Sequence, residues 1–188
     1  MLHFGSYSTA FGDVSSTLKS LAKREKDKRF ISYDPNLRLP IEPDIDLWKS
    51  SFKDFASCAT LIKASDEDIE ALMGKNAEDN FVADCFGHGA SIVYITRGPD
   101  GASVYTPDDR KYTAASNAVE VKDTVGAGDT FQAAVLHWMA AENHIGSDGK
   151  LTGEVDAEAS LKFALNAAAV TCGRFGADLP TLKDLQQS

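Results

Sequence analysis

One nine-residue run, Asp123-Thr124-Val125-Gly126-Ala127-Gly128-Asp129-Thr130-Phe131, concentrates the residue types best suited to chemistry in this 188-residue chain. Gly126, Ala127 and Gly128 leave bare backbone, and their N–H groups fall at the start of a following helix. Unsatisfied donors and the positive end of the helix dipole attract anions there. Asp129 is the odd member, because a carboxylate beside an anion site is repelled by that anion unless it has chemical work to do. Two common nucleotide loops do not fit. No Gly-x4-Gly-Lys-Ser/Thr run occurs in the chain, and Phe131 stands where a dinucleotide fingerprint needs its third glycine. Two readings are left: a tight turn capped by Asp129, or a triphosphate cradle with an adjacent general base.

Four more polar stretches fall at the ends of strand-like or helical segments, and open α/β sheets bind ligands at the carboxyl ends of their strands. Asp34-Pro35-Asn36-Leu37-Arg38 reads as a proline turn with Asp34 and Asn36 bonding local backbone, or with a buried charge partner for Asp34. Ser65-Asp66-Glu67-Asp68 is a helix start with a serine cap and an acidic residue three places on. Lys63, just before it, is either a solvated strand end or a phosphate ligand. Thr96-Arg97-Gly98-Pro99-Asp100-Gly101 carries the Pro-Asp-Gly chemistry of a turn between strands. From Asn166 onward, Ala167, Ala168, Ala169 and Cys172 permit close helix packing, ahead of Arg174-Phe175-Gly176-Ala177.

The run from Asp123 to Phe131, followed by a small-residue helix, resembles the second signature of the PfkB (ribokinase-like) carbohydrate kinases. The Asp-Pro-Asn-x-Arg element at 34–38, the Thr-x-Gly-x-x-Gly loop at 96–101 and the Arg-x-Gly-Ala segment at 174–177 are similar to elements of the same family. Together with His3-Phe4-Gly5-Ser6 they resemble its fructokinase-like members. The resemblance implies a three-layer αβα, ribokinase-like (Rossmann-like) fold, mostly parallel with one β-hairpin, in which residues 1–188 form a single nucleotide-binding domain. It implies ATP-dependent phosphorylation of a sugar hydroxyl. Fructose is the first candidate; ribose, a nucleoside or 2-keto-3-deoxygluconate are the others. On the matching positions, the amides of Gly126, Ala127 and Gly128 form an anion hole and Asp129 takes the hydroxyl proton. Arg38, with Asn36, reaches the substrate or the polyphosphate, where a planar guanidinium suits bidentate contact. Lys63, Ser65, Thr96, Gly98 and Gly101 line the nucleotide, and Asn166 lies near its purine edge. Asp68, at a place where the family often has Glu, touches Mg²⁺ through water. Asp123 and the backbone from Arg174 to Gly176 hold a monovalent cation, K⁺.

The same resemblance covers only the C-terminal part of the family's pattern. Its N-terminal section, with the Gly-Gly signature, the lid strands and most sugar-contacting residues, has no counterpart among these residues. The expectation is a truncated kinase, or a remnant that binds nucleotide or a partner without turnover. An apolar face left uncovered would favour a homodimer or pairing with a separate N-terminal half.

The elements that must position these residues alternate between strand-like and helix-like segments, the mark of a parallel α/β sheet. Short apolar runs predict strands over 2–4, 30–33, 60–62 and 91–96, with a hairpin over 102–106 and 111–114. A β-leaning run, Val119-Glu120-Val121, leads into the chemical stretch. Helical periodicity joins Val14, Leu18, Leu21 and Ala22; Leu47, Trp48, Phe52 and Phe55; Ile69, Leu72 and Met73; Phe81, Val82 and Phe86; and Phe131, Ala134, Val135, Trp138 and Met139. A small-residue helix is expected over 157–172, after a polar loop over 146–153.

Composition narrows the function further. A balance of 19 basic against 28 acidic side chains gives a net charge of −9, which argues against nucleic acid and anionic membranes as partners, since phosphate backbones demand a basic surface. A small anion held by local amides remains compatible with it. No apolar run approaches the roughly 18 residues of a membrane span. The three cysteines are far apart and odd in number, and the four histidines form no ligand-spaced cluster. A cytoplasmic protein with reduced thiols and no transition-metal site is expected.

Overall fold

A computed structural model describes residues 1–117 and 119–185. The chain runs β1 (Leu2–Gly5), α1 (Gly12–Glu25), β2 (Ile31–Asp34), α2 (Ile45–Ala56), β3 (Leu61–Ser65), α3 (Asp66–Met73), α4 (Glu78–Gly87), β4 (Ile92–Thr96), β5 (Ala102–Tyr105), β6 (Lys111–Ala114), α5 (Ala127–Ala141), α6 (Ala157–Cys172) and α7 (Leu182–Leu185). The strands form one sheet in sequence order. Strands β1 to β4 are parallel, while β5 and β6 return antiparallel as a hairpin.

Both faces of the sheet are covered, which is why its strands read as continuous apolar runs rather than alternating ones. Ile31, Tyr33, Ile62, Ala64, Val93 and Ile95 point into one core with Trp48, Phe52, Phe55 and Phe81 from α2 and α4. Tyr33 stacks on Phe55 with ring centroids 5.3 Å apart. Leu61, Ile92, Tyr94, Ala102 and Val104 point the other way, onto Phe131, Val135 and Met139 of α5 and Leu161 and Ala164 of α6. Alanines on α6 let these two helices lie close, and buried hydroxyl pairs hold α6 to α5 and to β4. Thr130 meets Thr171 at 3.0 Å, and Tyr94 meets Ser160 at 2.6 Å.

Parallel pairing brings the carboxyl ends of four strands to one edge: Gly5 stands opposite Asp34, and Ser65 opposite Thr96. The N-terminus of α5 arrives at that same edge. The geometry thus gathers the stretches beginning at 34, 65, 96 and 126 around one place, as open α/β sheets do.

Two sequence expectations need correcting. Val119-Glu120-Val121 is not a strand: Val119 and Val121 are exposed, and the backbone just beyond crosses the end of α6. The N–H groups of Lys122 and Asp123 donate to the Cys172 carbonyl there, at 2.9 and 3.3 Å. In addition, β3 continues through Lys63 and Ser65, so Lys63 is a buried strand residue and not a solvated end.

Gly101 marks where the fold tolerates no side chain. Its φ is +89°, and a Cβ there would lie 2.1 Å from the Ala114 carbonyl oxygen of the adjacent hairpin strand. At Gly98, φ is +49° and the space is open. Gly101→Ala should therefore cost more than about 2 kcal/mol, and Gly98→Ala about 1 kcal/mol. Urea unfolding midpoints at unchanged m-value check the ranking, and equal costs would contradict it.

Candidate active site

Helix α5 starts without a side-chain cap. Gly126 takes the N-cap place in the left-handed region, at φ +82°, and Thr130 N–H makes the first helical bond to its carbonyl at 2.8 Å. A Cβ on Gly126 would press on the Ala177 methyl at 3.2 Å, so the turn packs directly on the C-terminal segment. The turn-capping reading of Asp129 fails: its carboxylate accepts no hydrogen bond from the turn. The Ala127 N–H is committed to the Thr124 carbonyl at 3.2 Å. The N–H groups of Gly128 and Asp129 donate to no acceptor among the described residues, and both residues are exposed. Of the three amides expected to bind an anion, Ala127 is spoken for, and Asp129 supplies one the sequence reading did not include.

Lys63 rises beneath this turn. Its Nζ lies 3.4 Å from where a Gly128 Cβ would be and 2.9 Å from Asp34 Oδ2, with both side chains buried. Of the two readings of Asp34, the buried charge partner is the one observed, and not a side chain bonded to local backbone. Burial pushes the Asp34 carboxyl up from its ordinary range, against the pull of the Lys63 charge and hydrogen bond. Asp34 Oδ1 has no partner. Asn36 sits at φ +41°. Arg38 is exposed, its guanidinium folded back on the Leu37 and Asn36 carbonyls at 2.8 and 3.4 Å.

Ser65 and Asp68 form the expected capping box. Asp68 also reaches out of it: Oδ1 accepts the Leu37 N–H at 2.8 Å while Oδ2 accepts from Ser65 N–H and Oγ. It thereby ties the loop after β2 to the start of α3. Asp123 does the same work elsewhere, accepting Val125 N–H at 3.0 Å and Gly176 N–H at 2.9 Å. Those bonds hold its carboxyl below the ordinary carboxylate range. The loop after β4 is pinned by Arg97, whose guanidinium grips Glu78 at 2.6 Å. Thr96 Oγ1 reaches only the Ala64 carbonyl, at 3.5 Å.

Two clefts meet at the α5 N-terminus. One, of about 600 Å³, is lined by Asn36, Arg38, Lys63, Ser65, Asp68 and Asp129. The other, of about 610 Å³, is mostly apolar, with Gly98, Gly101, Val121, Phe131, Ala169 and Cys172 in its walls. Thr96, Thr124 and Gly128 belong to both. Asn166 is held by Asn117 Nδ2 at 3.1 Å, and Asn117 lines the apolar cleft. Sequence reasoning missed Asn117, Val119 and Val121 as walls, since irregular backbone carries no periodic signal. It also missed Gln132, although a glutamine among Phe131, Ala134 and Val135 interrupts the apolar stripe.

The chain that carries this site has relatives among known proteins. The pfkB family carbohydrate kinase pattern matches residues 2–184. The chain belongs to that family. It is 40% identical over 142 residues to a fructokinase of Rhizobium leguminosarum bv. trifolii, covering 76% of this chain and 43% of that protein. It is 31% identical over 190 residues to fructokinase-2 of Solanum habrochaites, covering 98% of this chain and 56% of that protein. Among solved structures, the fructokinase of Vibrio cholerae O395 with fructose, ADP and calcium ion bound superposes with a TM-score of 0.84. It is 23% identical and shares 99% of this chain and 59% of that one, a likeness of fold. The chain spans about half the length of the curated relatives it matches.

The ion pair and the Asp123 clasp each make a measurable claim. Lys63→Met strands a buried carboxylate, and should cost about 3–5 kcal/mol in urea unfolding, with partial recovery in Lys63→Met/Asp34→Leu. An acid with a depressed folded pKa adds stability above its unfolded pKa and loses it as pH falls through the folded value. The acid limb of the stability profile, between about pH 5 and 2, should therefore be shallower in Asp123→Asn than in the parent chain.

Proposed function

We propose that this chain carries the nucleotide-binding and catalytic half of an ATP-dependent sugar kinase, with fructose as the first acceptor to test. The observation that carries the reading is the meeting of an apolar cleft and a polar cleft at Gly128, beside the unpartnered Asp129 carboxylate. The apolar cleft suits a purine and ribose, because its glycines let them approach the backbone. The polar cleft suits a sugar. A transferred phosphoryl group belongs where the two join.

Phosphoryl transfer asks a protein mainly to position reactants and to stabilise charge. The free N–H groups of Gly128 and Asp129 bind the terminal phosphate oxygens, and Lys63 sets its ammonium beside them. Arg38 reaches the substrate or polyphosphate from the facing loop, and Thr96, Gly98 and Gly101 border the rest of the nucleotide. Asp129 accepts the proton of the attacking hydroxyl. Because a sugar alcohol is a far weaker acid than a carboxylic acid, proton transfer accompanies phosphoryl transfer late.

Among the described residues no group of three or more His, Cys, Asp or Glu side chains is placed to hold a metal ion, and the Asp68 oxygens already accept backbone bonds. That donor set fits Mg²⁺ carried by phosphate and water, with Asp68 reaching it only through water. Bound there, Mg²⁺ neutralises phosphate charge. The Asp123 carboxylate and the carbonyls from Arg174 to Gly176 offer the oxygen donors that K⁺ takes. The acidic net charge disfavours nucleic acid, and among the described residues no helix is long and apolar enough to cross a membrane.

Fructose-dependent ADP release, followed by a coupled assay, tests the reading. ATP binding with no turnover on any sugar would instead identify a nucleotide-binding remnant. Asp129→Asn should lower kcat by about 10²–10⁴-fold and leave ATP affinity within about twofold, measured by calorimetry. A variant with near-normal kcat removes the base assignment.

A further inference from the structure

Asp129 makes no hydrogen bond among the described residues and its helix has no side-chain cap, so its aim is set by its neighbours on α5. Two buried polar clamps grip the helix just past it. Thr130 is held to Thr171 of α6 at 3.0 Å, and Gln132 Nε2 donates to Ser32 Oγ on β2 at 2.7 Å. Gln132 lies three residues beyond Asp129, on the same helix face. Ser32 Oγ is also 3.1 Å from His3 Nδ1 on β1. The three side chains thus tie the first turns of α5 to two strands of the sheet.

Gln132 is buried, and its Oε1 has no hydrogen-bond partner among the described residues. A buried polar atom left unpaired is a standing cost, and an apolar side chain would pack there without it. Such departures from the local pattern belong to function more often than to stability. We propose that Gln132, anchored through Ser32 and His3, is the positioning residue that aims the Asp129 carboxylate into the cleft. The inference rests on the reading of Asp129 as the base.

Hydrogen-bond direction gives the clamp a signature. Ser32 Oγ accepts from Gln132, so its own proton goes to His3 Nδ1, the remaining acceptor in reach, and His3 carries its hydrogen on Nε2. Protonated His3 would instead donate through Nδ1. Ser32 would then donate to Gln132, and the amide would turn its oxygen inward. His3 faces Asp129 from α5 and Lys63 from β3, the latter paired with Asp34 of β2. Partial burial lowers its pKa, the Asp129 charge raises it and the Lys63 charge lowers it, while its outer edge lies open on the terminal strand β1.

Nitrogen-15 NMR of the imidazoles reads this in the resting protein, with the His3 signals assigned by their loss in His3→Asn. At neutral pH His3 should be the Nε2–H tautomer. Asp129→Asn should lower its pKa in the parent chain, and move it much less in Gln132→Met, where the clamp is gone. Equal shifts in the two backgrounds, or none in the parent, overturn the proposal. Ser32→Ala removes the same bond from the sheet side and replaces Gln132→Met if that variant does not fold. With fructose and ATP, loss of the clamp should lower kcat by about 10²-fold at unchanged KM for ATP. A raised KM with unchanged kcat overturns the positioning role. A parent chain that binds ATP and turns over no sugar refutes the kinase reading, and the NMR comparison then decides the clamp alone.

Discussion

One ammonium and one carboxylate, 2.9 Å apart and shut away from water, fix the floor on which everything at the carboxyl-end edge of the sheet stands. Lys63 and Asp34 are 29 residues apart in sequence and sit on adjacent strands. Removing two charges from water costs several kcal/mol per ion, and close packing of apolar side chains at the same place would often be as stable. What the pair supplies is location. It holds a positive charge directly beneath Gly128, at a helix start that has no side-chain cap. On the proposed reading, an incoming phosphate and the Asp129 carboxylate would both be negative and both crowd that turn. The lysine beneath them would be the cation that makes their closeness tolerable.

The treatment of helix starts shows the same economy. Helices α2, α3 and α6 begin with a side-chain cap from Asp44, Ser65 and Asp156. Such a cap is worth roughly 1 kcal/mol. Helix α5, the longest but one, begins on a left-handed glycine with nothing capping it. Its unused donors face the junction of two clefts. Asp68 and Asp123, which could have been free acids, are instead spent on backbone N–H groups, tying the surrounding loops to the scaffold. Asp129, unlike these two, accepts no bond among the described residues.

How much of this was legible in the sequence depended on the range of the interaction. Local signals read well: the capping box at Ser65 and Asp68, the hairpin around Pro107, the small-residue helix ending at Cys172, and Gly126 before a helix. Strand positions were also legible, since runs such as Ile92 to Thr96 are apolar on both faces. The reading failed where a residue's meaning depends on a distant partner. For Lys63 the choice between a solvated strand end and a phosphate ligand stayed open, because its counter-ion lies on another strand. Val119 and Val121 looked like strand because their true neighbours, at the end of α6, are some fifty residues away. For Asp129 the turn alone left a cap and a general base equally open, and the left-handed Gly126 leaves that turn without any side-chain cap.

Gln132 brings these points together. Viewed along the sequence it is a flaw in an apolar stripe; viewed in the fold it is the tie between a helix and two strands. A helix held only by apolar contacts can rotate or slide slightly at small cost, because dispersion forces are numerous, weak and non-directional. A hydrogen bond to a hydroxyl fixed on a strand has one good geometry. A reaction that loses about a hundredfold in rate for an ångström of misplacement has more use for that fixed geometry than for one more buried methyl group. The orphaned Oε1 is the cost of taking a directional contact where a greasy one would have packed.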